Sequence, residues 1–288
     1  MAASASLFEE RREDLIARLE DLTREDGRLV ALWLQGSLAD GSADPLSDVD
    51  AYIAVEDAAF EQVYSERREV VARLGSVHAY ADRLLPGAHA VHCVVEGPVK
   101  LDLFFEPVSR VEVAERPAAR MLVDKAGIGA RLRTGWEPSR EAAAQKVDLL
   151  LRGIRQGATW PVRLLHRGQW STLAMVELEL VNDNLMTLMA AQVDPRYLFK
   201  NRFSVPRLLR PEQRERLDAL TADVLDALVR RDPAALRDVH LRIDDALIEE
   251  GRAACAALGI PYPGDEEGDA AIRAFYEREW PATLAAAQ

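Results

Sequence analysis

The sequence predicts two domains of different class: an α/β domain over residues 1–135, with a mixed sheet and flanking helices, and an all-α helical bundle over residues 136–288. Three observations carry that division. Apolar runs of strand length cover residues 29–34 and 51–55, with a polar turn between them. β-Branched and aromatic residues then dominate 88–95 and 99–105. Beyond the breaker-rich Thr134-Gly-Trp-Glu-Pro-Ser139, strand signals nearly vanish and apolar residues recur at helical intervals.

Taken in order, Ser6-Leu-Phe-Glu9 has the spacing of a capping box. Phe8, Leu15, Ile16, Leu19 and Leu22 follow at helical intervals, with Gly27 as a stop, so an amphipathic opening helix is expected. After the two strands, Phe60, Val63, Tyr64, Val71 and Leu74 form a second helical stripe that ends at Gly75. Glu96-Gly97-Pro98 reads as the turn of a hairpin joining 88–95 to 99–105, and 121–123 as a short further strand. Helices are expected over 146–154, 161–189, 211–230, 233–258 and 269–285, with proline at several starts and Gly259 as a stop.

Composition bounds the function. The N-terminus lacks a basic-then-apolar leader pattern, and no apolar run reaches the roughly 18 residues of a membrane span, so a cytoplasmic protein with no membrane partner is expected. Cys93 and Cys255 have no ligand spacing and read as buried small apolar residues. A net charge of −12 argues against backbone-driven nucleic-acid binding and favours a cationic small molecule.

The chemistry concentrates in Leu34-Gln-Gly-Ser-Leu-Ala-Asp-Gly-Ser-Ala-Asp-Pro-Leu-Ser-Asp-Val-Asp50. Gly36 lets backbone approach a phosphate closely, and Ser37 adds a hydroxyl and an amide, so the pair is a candidate triphosphate cradle. Asp48 and Asp50 are two apart near a strand end, and extended chain directs both to one face. They can grip hard cations together, and magnesium suits such oxygen donors. Asp102 is a polar residue in an otherwise apolar strand, where a buried unpaired charge would cost several kcal/mol, which makes it the candidate third carboxylate. The segment is neither a P-loop nor a dinucleotide fingerprint.

Hydrophobic-Gly-Ser, then Asp-hydrophobic-Asp, then a later strand-borne carboxylate resembles the signature of the DNA polymerase β-type nucleotidyltransferase superfamily. Within it, Pro45-Leu-Ser-Asp-Val-Asp50 most resembles the antibiotic-modifying members, including streptomycin/spectinomycin adenylyltransferases and lincosamide nucleotidyltransferases. The resemblance covers residues 29–125. One departure is Asp102, where the streptomycin-type enzymes carry Glu, which shortens the reach of any base at that position.

The resemblance implies transfer of a nucleotidyl group, AMP from ATP or another nucleoside triphosphate, to a hydroxyl of an antibiotic-like small molecule, with an aminoglycoside as first choice. It implies two magnesium ions, with Asp48, Asp50 and Asp102 as ligands and Asp102 as an alternative base. Other readings are an AMP-transferring regulator of a protein or RNA, like antitoxin-type nucleotidyltransferases, and a non-enzymatic nucleotide sensor or interaction module.

In the helical half, Lys200 lies in the basic and aromatic Tyr197-Leu-Phe-Lys-Asn-Arg-Phe203 and is a candidate triphosphate ligand, against the alternative of a solvated loop lysine. Glu177 shares a helix face with Trp170 and is a candidate for binding a cationic substrate, against the alternative of a solvent face. Glu179 and Asp183 are weaker candidates. Trp136, Trp160 and Trp170 are expected to pack, against the alternative of stacking on a sugar or base. Asp40 and Asp44 read as turn residues, and the five histidines as structural.

Overall fold

The computed structural model describes residues 2–85, 88–200 and 202–280, and the chain folds as two compact units, Met1–Glu137 and Pro138–Gln288. The first is a mixed sheet with flanking helices and the second is helical. In the first unit α1 (Ala2–Glu25) leads into β1 (Leu29–Leu34), the single turn α2 (Ser37–Asp40), β2 (Val49–Val55), α3 (Phe60–Ser65) and α4 (Arg67–Ala72). Then come β3 (Val77–Leu85), β4 (Ala88–Val95), β5 (Val99–Pro107), α5 (Val108–Val111), β6 (Glu115–Arg116), β7 (Arg120–Asp124) and β8 (Arg133–Thr134).

Six strands form one sheet in the order β3-β4-β5-β2-β1-β7, and β6 pairs with β8 separately. Only β2 and β5 run parallel within the large sheet; the other neighbours are antiparallel. The whole of β1 is buried, as expected for a strand with neighbours on both sides and both faces covered. Leu15, Ile16, Leu19 and Leu22 of α1 pack on one face with Ala51, Ile53, Leu101 and Leu103. Each of these leucine and isoleucine side chains contributes about 1.5–3 kcal/mol when fully buried. The opposite face carries Trp33, Tyr52 and Phe104 as a stacked ladder, with centroids 5.5 and 4.3 Å apart, and in the same register the carboxylates of β2 and β5.

Three elements differ from the sequence reading. The opening helix begins at Ala2, which puts Ser6 inside it rather than at its start. The stripe from Phe60 to Leu74 is two short helices broken at Glu66, where the Ser65 hydroxyl donates to the Gln62 carbonyl and competes for the helical acceptor. Strand β3 has no counterpart in that reading. It is an edge strand on which Val77, His78, Ala79, Ala81 and Asp82 are exposed, so it lacks the buried alternation that identifies a strand.

The second unit comprises α6 (Arg140–Gly157), α7 (Trp160–His166), α8 (Trp170–Glu179), α9 (Met186–Val193), α10 (Pro211–Arg230), α11 (Pro233–Leu258) and α12 (Glu266–Glu279). The expected helix over 161–189 is divided at Gly168, where φ is +64°. It then continues through a π-helical segment, Leu180–Leu185, into α9. Helix α11 is central, with Ile243, Ala246, Leu247 and Ala254 in the core, and Gly251 admits Leu151 of α6 so closely that a Cβ would meet it at 2.8 Å. Of the last expected helix, 281–285 lie outside the described residues. No helix among the described residues is long and apolar enough to cross a membrane.

Candidate active site

Strand pairing assembles the candidate site. Asp50 and Asp102 are register partners across the parallel β2–β5 pair, and Asp48 lies two residues before Asp50 at the mouth of the same strand. Side-chain alternation along β5 puts Lys100, Asp102 and Phe104 on one face, with Leu101 and Leu103 in the core. The three expected carboxylates therefore meet, and the Lys100 ammonium bridges two of them, at 2.7 Å from Asp48 Oδ2 and 2.8 Å from Asp102 Oδ2.

The Gly36-Ser37 turn is fastened to the same place. Gln35 N–H donates to the Asp50 carbonyl at 2.9 Å. Gly36 has φ +61° and ψ −147°, a region open essentially to glycine alone. A Cβ there would lie 2.3 Å from Asp50 Oδ2. Glycine is thus required twice, by the backbone and by the carboxylate beside it. Asp40 and Asp44 each accept a backbone N–H two residues on, from Ser42 and Leu46, as turn residues do. The buried Arg12 of α1 donates to the Asp44 carbonyl at 2.7 Å and pins the loop.

The electrostatics follow from crowding. Burial, then the charges of Asp48 and Asp102, push the Asp50 carboxyl up to about 6. Burial works against the Lys100 ammonium, but its hydrogen bonds to Asp102 and Asp48 outweigh that effect and raise its pKa. Lys100 is thus the cation that this carboxylate group gathers from the chain itself. No group of three or more His, Cys, Asp or Glu side chains among the described residues is disposed to hold a metal ion, and Asp48 and Asp102 both face Lys100.

Two members of the site were not singled out from the sequence. His92 lies opposite Asp102 in the β4–β5 hairpin, and its Nδ1 is 2.8 Å from Asp102 Oδ1. Its Nε2 is buried without a hydrogen-bond partner. Hairpin symmetry about Gly97 pairs Val95 with Val99 and hence His92 with Asp102, so the signal was present in the expected turn. Lys100 follows from strand period alone, two residues before Asp102.

The other candidates lie in the helical unit. Lys200 is exposed and, with Lys146, Arg202 and Asp183, lines a cavity of about 200 Å³ there. Asp183 is 3.2 Å from Arg202. Glu177 corrects its expectation: it is fully buried rather than open to a substrate or to solvent, and both its carboxylate oxygens lie 3.0 Å from His240 Nδ1. The pair persists because each partner compensates the other's desolvation; burial alone would lower the His240 pKa, but Glu177 raises it. Cys93 and Cys255 are free and buried.

No protein-family model matches the chain, and no curated protein is significantly similar to it in sequence. Among solved structures, an aminoglycoside 6-adenyltransferase from Bacillus subtilis is similar at 16% identity over 93% of this chain and 97% of that one. Its TM-score of 0.36 is too low to carry a conclusion about this chain.

Proposed function

We propose that the chain is a nucleotidyltransferase that moves AMP from ATP, or another nucleotidyl group from its triphosphate, to a hydroxyl of an antibiotic-like small molecule, with an aminoglycoside the first choice. The observation that supports this best is the convergence of Asp48, Asp50 and Asp102 on one sheet face, beside a turn that only glycine can make.

The chemistry of the donors suits magnesium, although the side chains as they stand face Lys100 and would have to turn to share an ion. Three carboxylates supply hard oxygen ligands from adjacent strands, and the ammonium of Lys100 already stands in for a cation between two of them. Asp48 and Asp50 would hold the metal of the nucleotide, and together with Asp102 a second. Bound there, magnesium neutralises charge on the triphosphate and lowers the pKa of an acceptor hydroxyl. The chain's own residues do the rest. Gly36 keeps Cβ atoms away so that backbone can approach the phosphates, and Ser37 offers a hydroxyl and an amide. His92 fixes the orientation of Asp102 through Nδ1. In the reaction an acceptor oxygen forms its bond to the α-phosphorus as the bond to the pyrophosphate leaving group breaks, and the hydroxyl proton passes to a base, for which Asp102 is the candidate.

If Lys100 occupies a cation position, Lys100→Met should lower Tm in magnesium-free buffer, because three carboxylates then repel without compensation. The same variant should show a larger magnesium-induced rise in Tm than wild type. Thermal unfolding with EDTA and with saturating magnesium checks both, and an unchanged magnesium response would contradict the placement.

The activity itself is tested by pyrophosphate release from ATP with magnesium and a panel of aminoglycosides and lincosamides. Release dependent on one drug class is the expected result. Release only with a protein or RNA acceptor, or silence with every triphosphate, would overturn it.

A further inference from the structure

We propose that the helical unit holds a binding site for a small primary amine with an apolar body, in a cavity of about 360 Å³ bordered by α6, α7, α8, α11 and α12. That volume lies in the range of ligand pockets, roughly 300–1,000 Å³. The site does not rest on the nucleotidyl-transfer reading, because none of its residues belongs to the α/β unit.

The cavity is made by residues that packing alone does not explain. Gly153 and Gly157 lie on one face of α6, where glycine is a poor helix former, and a helical glycine commonly earns its place by letting a neighbour approach. Here neither does: a Cβ built at either position meets nothing within 4 Å, and both line the cavity. The two glycines therefore leave space rather than close it. At its border Trp160 is 55% exposed, an indole with a free face beside an opening.

The polar groups agree in sign. Glu179 and Asp244 line the cavity, and no lysine or arginine does among the described residues. Asp244 Oδ2 is buried without a hydrogen-bond partner, and burial raises the pKa of the group, an effect that His240 and Arg273 oppose without cancelling. His240 also lines the cavity. It is 2% exposed, and Glu177 engages its Nδ1 while Nε2 has no hydrogen-bond partner. Glu177 is thus a positioning residue for His240. An ammonium paired with Asp244 would satisfy the orphaned carboxylate, and the Trp160 face suits the same charge. The rest of the wall is mostly aliphatic and fits an apolar body. A polyhydroxylated polycation would bury more polar groups than this wall can satisfy.

The test uses the full chain without nucleotide and titrates phenethylamine, phenethyl alcohol and phenylacetate by calorimetry. Phenethylamine should bind at one site, the alcohol about tenfold or more weakly, and phenylacetate not at all. Gly153→Leu fills the cavity with a better helix former, so it should abolish amine binding while Tm is unchanged or higher. Asp244→Asn should weaken the amine about tenfold or more. Asp48→Asn should bind phenethylamine as wild type does, whatever becomes of nucleotidyl transfer. Absence of amine binding, equal binding of amine and alcohol, retained binding in folded Gly153→Leu, or loss of binding in Asp48→Asn would each overturn the site. Should Asp244→Asn fail to fold, the Gly153 variant and the three probes still decide it.

Discussion

Asp50→Asn is expected to abolish nucleotidyl transfer and, in the absence of metal, to stabilise the protein above neutral pH. Both effects come from one cause. Asp50 lies beside two other carboxylates, and its carboxyl is pushed up to about 6 by burial and by Asp48 and Asp102. A carboxyl whose folded pKa lies above its unfolded value is best tolerated when protonated. The folded state then binds more protons than the unfolded state between about pH 4 and 6, so stability from this group falls as pH rises through that window. Above it the ionised form opposes folding by about 1–2 kcal/mol, after allowance for solvent screening. Asparagine removes that charge. The Tm of the variant should exceed that of wild type near pH 8 in EDTA, and the difference should vanish near pH 4. If Asp50 is the proposed metal ligand, losing its share of charge neutralisation, several kcal/mol, should lower turnover about 1,000-fold. Unfolding curves across pH, with single-turnover assays, check both halves; an Asp50→Asn protein with wild-type turnover would remove Asp50 from the chemistry.

Gly36→Ala is expected to be more damaging than its single methyl suggests. The backbone at Gly36 holds φ +61° and ψ −147°, and the added Cβ would sit 2.3 Å from Asp50 Oδ2. Either the turn leaves this conformation, at about 1–3 kcal/mol, or Asp50 moves from its place beside Asp102. Gly41 is the internal control. It also has positive φ, +78°, but a Cβ there meets nothing within 4 Å. Gly41→Ala should therefore lower stability by about 1 kcal/mol and leave turnover largely intact, while Gly36→Ala should reduce turnover about 100-fold or more. Equal losses of activity in the two variants would mean that the Gly36–Asp50 contact has no functional weight.

What the sequence made legible was local or periodic. The buried runs of β1 and β2, the Gly97 hairpin and the switch to helical spacing after Ser139 each express a short-range rule, and the structure contains all of them. Asp102 was legible because a carboxylate in an apolar strand needs a reason. Lys100 and His92 were equally legible in principle, one by strand period and the other by reading the hairpin across. Glu177 was not, because a helical glutamate reads as a surface residue and its partner His240 lies 63 residues away on α11. The edge strand β3 failed for the opposite reason: its solvent-facing residues carry no burial pattern to read.

The mass of the acceptor after incubation with ATP, magnesium and the wild-type chain tests the central claim most directly. A drug that gains one adenylyl group, with pyrophosphate released and neither product formed by Asp50→Asn, is the predicted result. A drug that gains only a phosphoryl group, or that stays unmodified while the protein hydrolyses ATP, would contradict nucleotidyl transfer by the Asp48, Asp50 and Asp102 site.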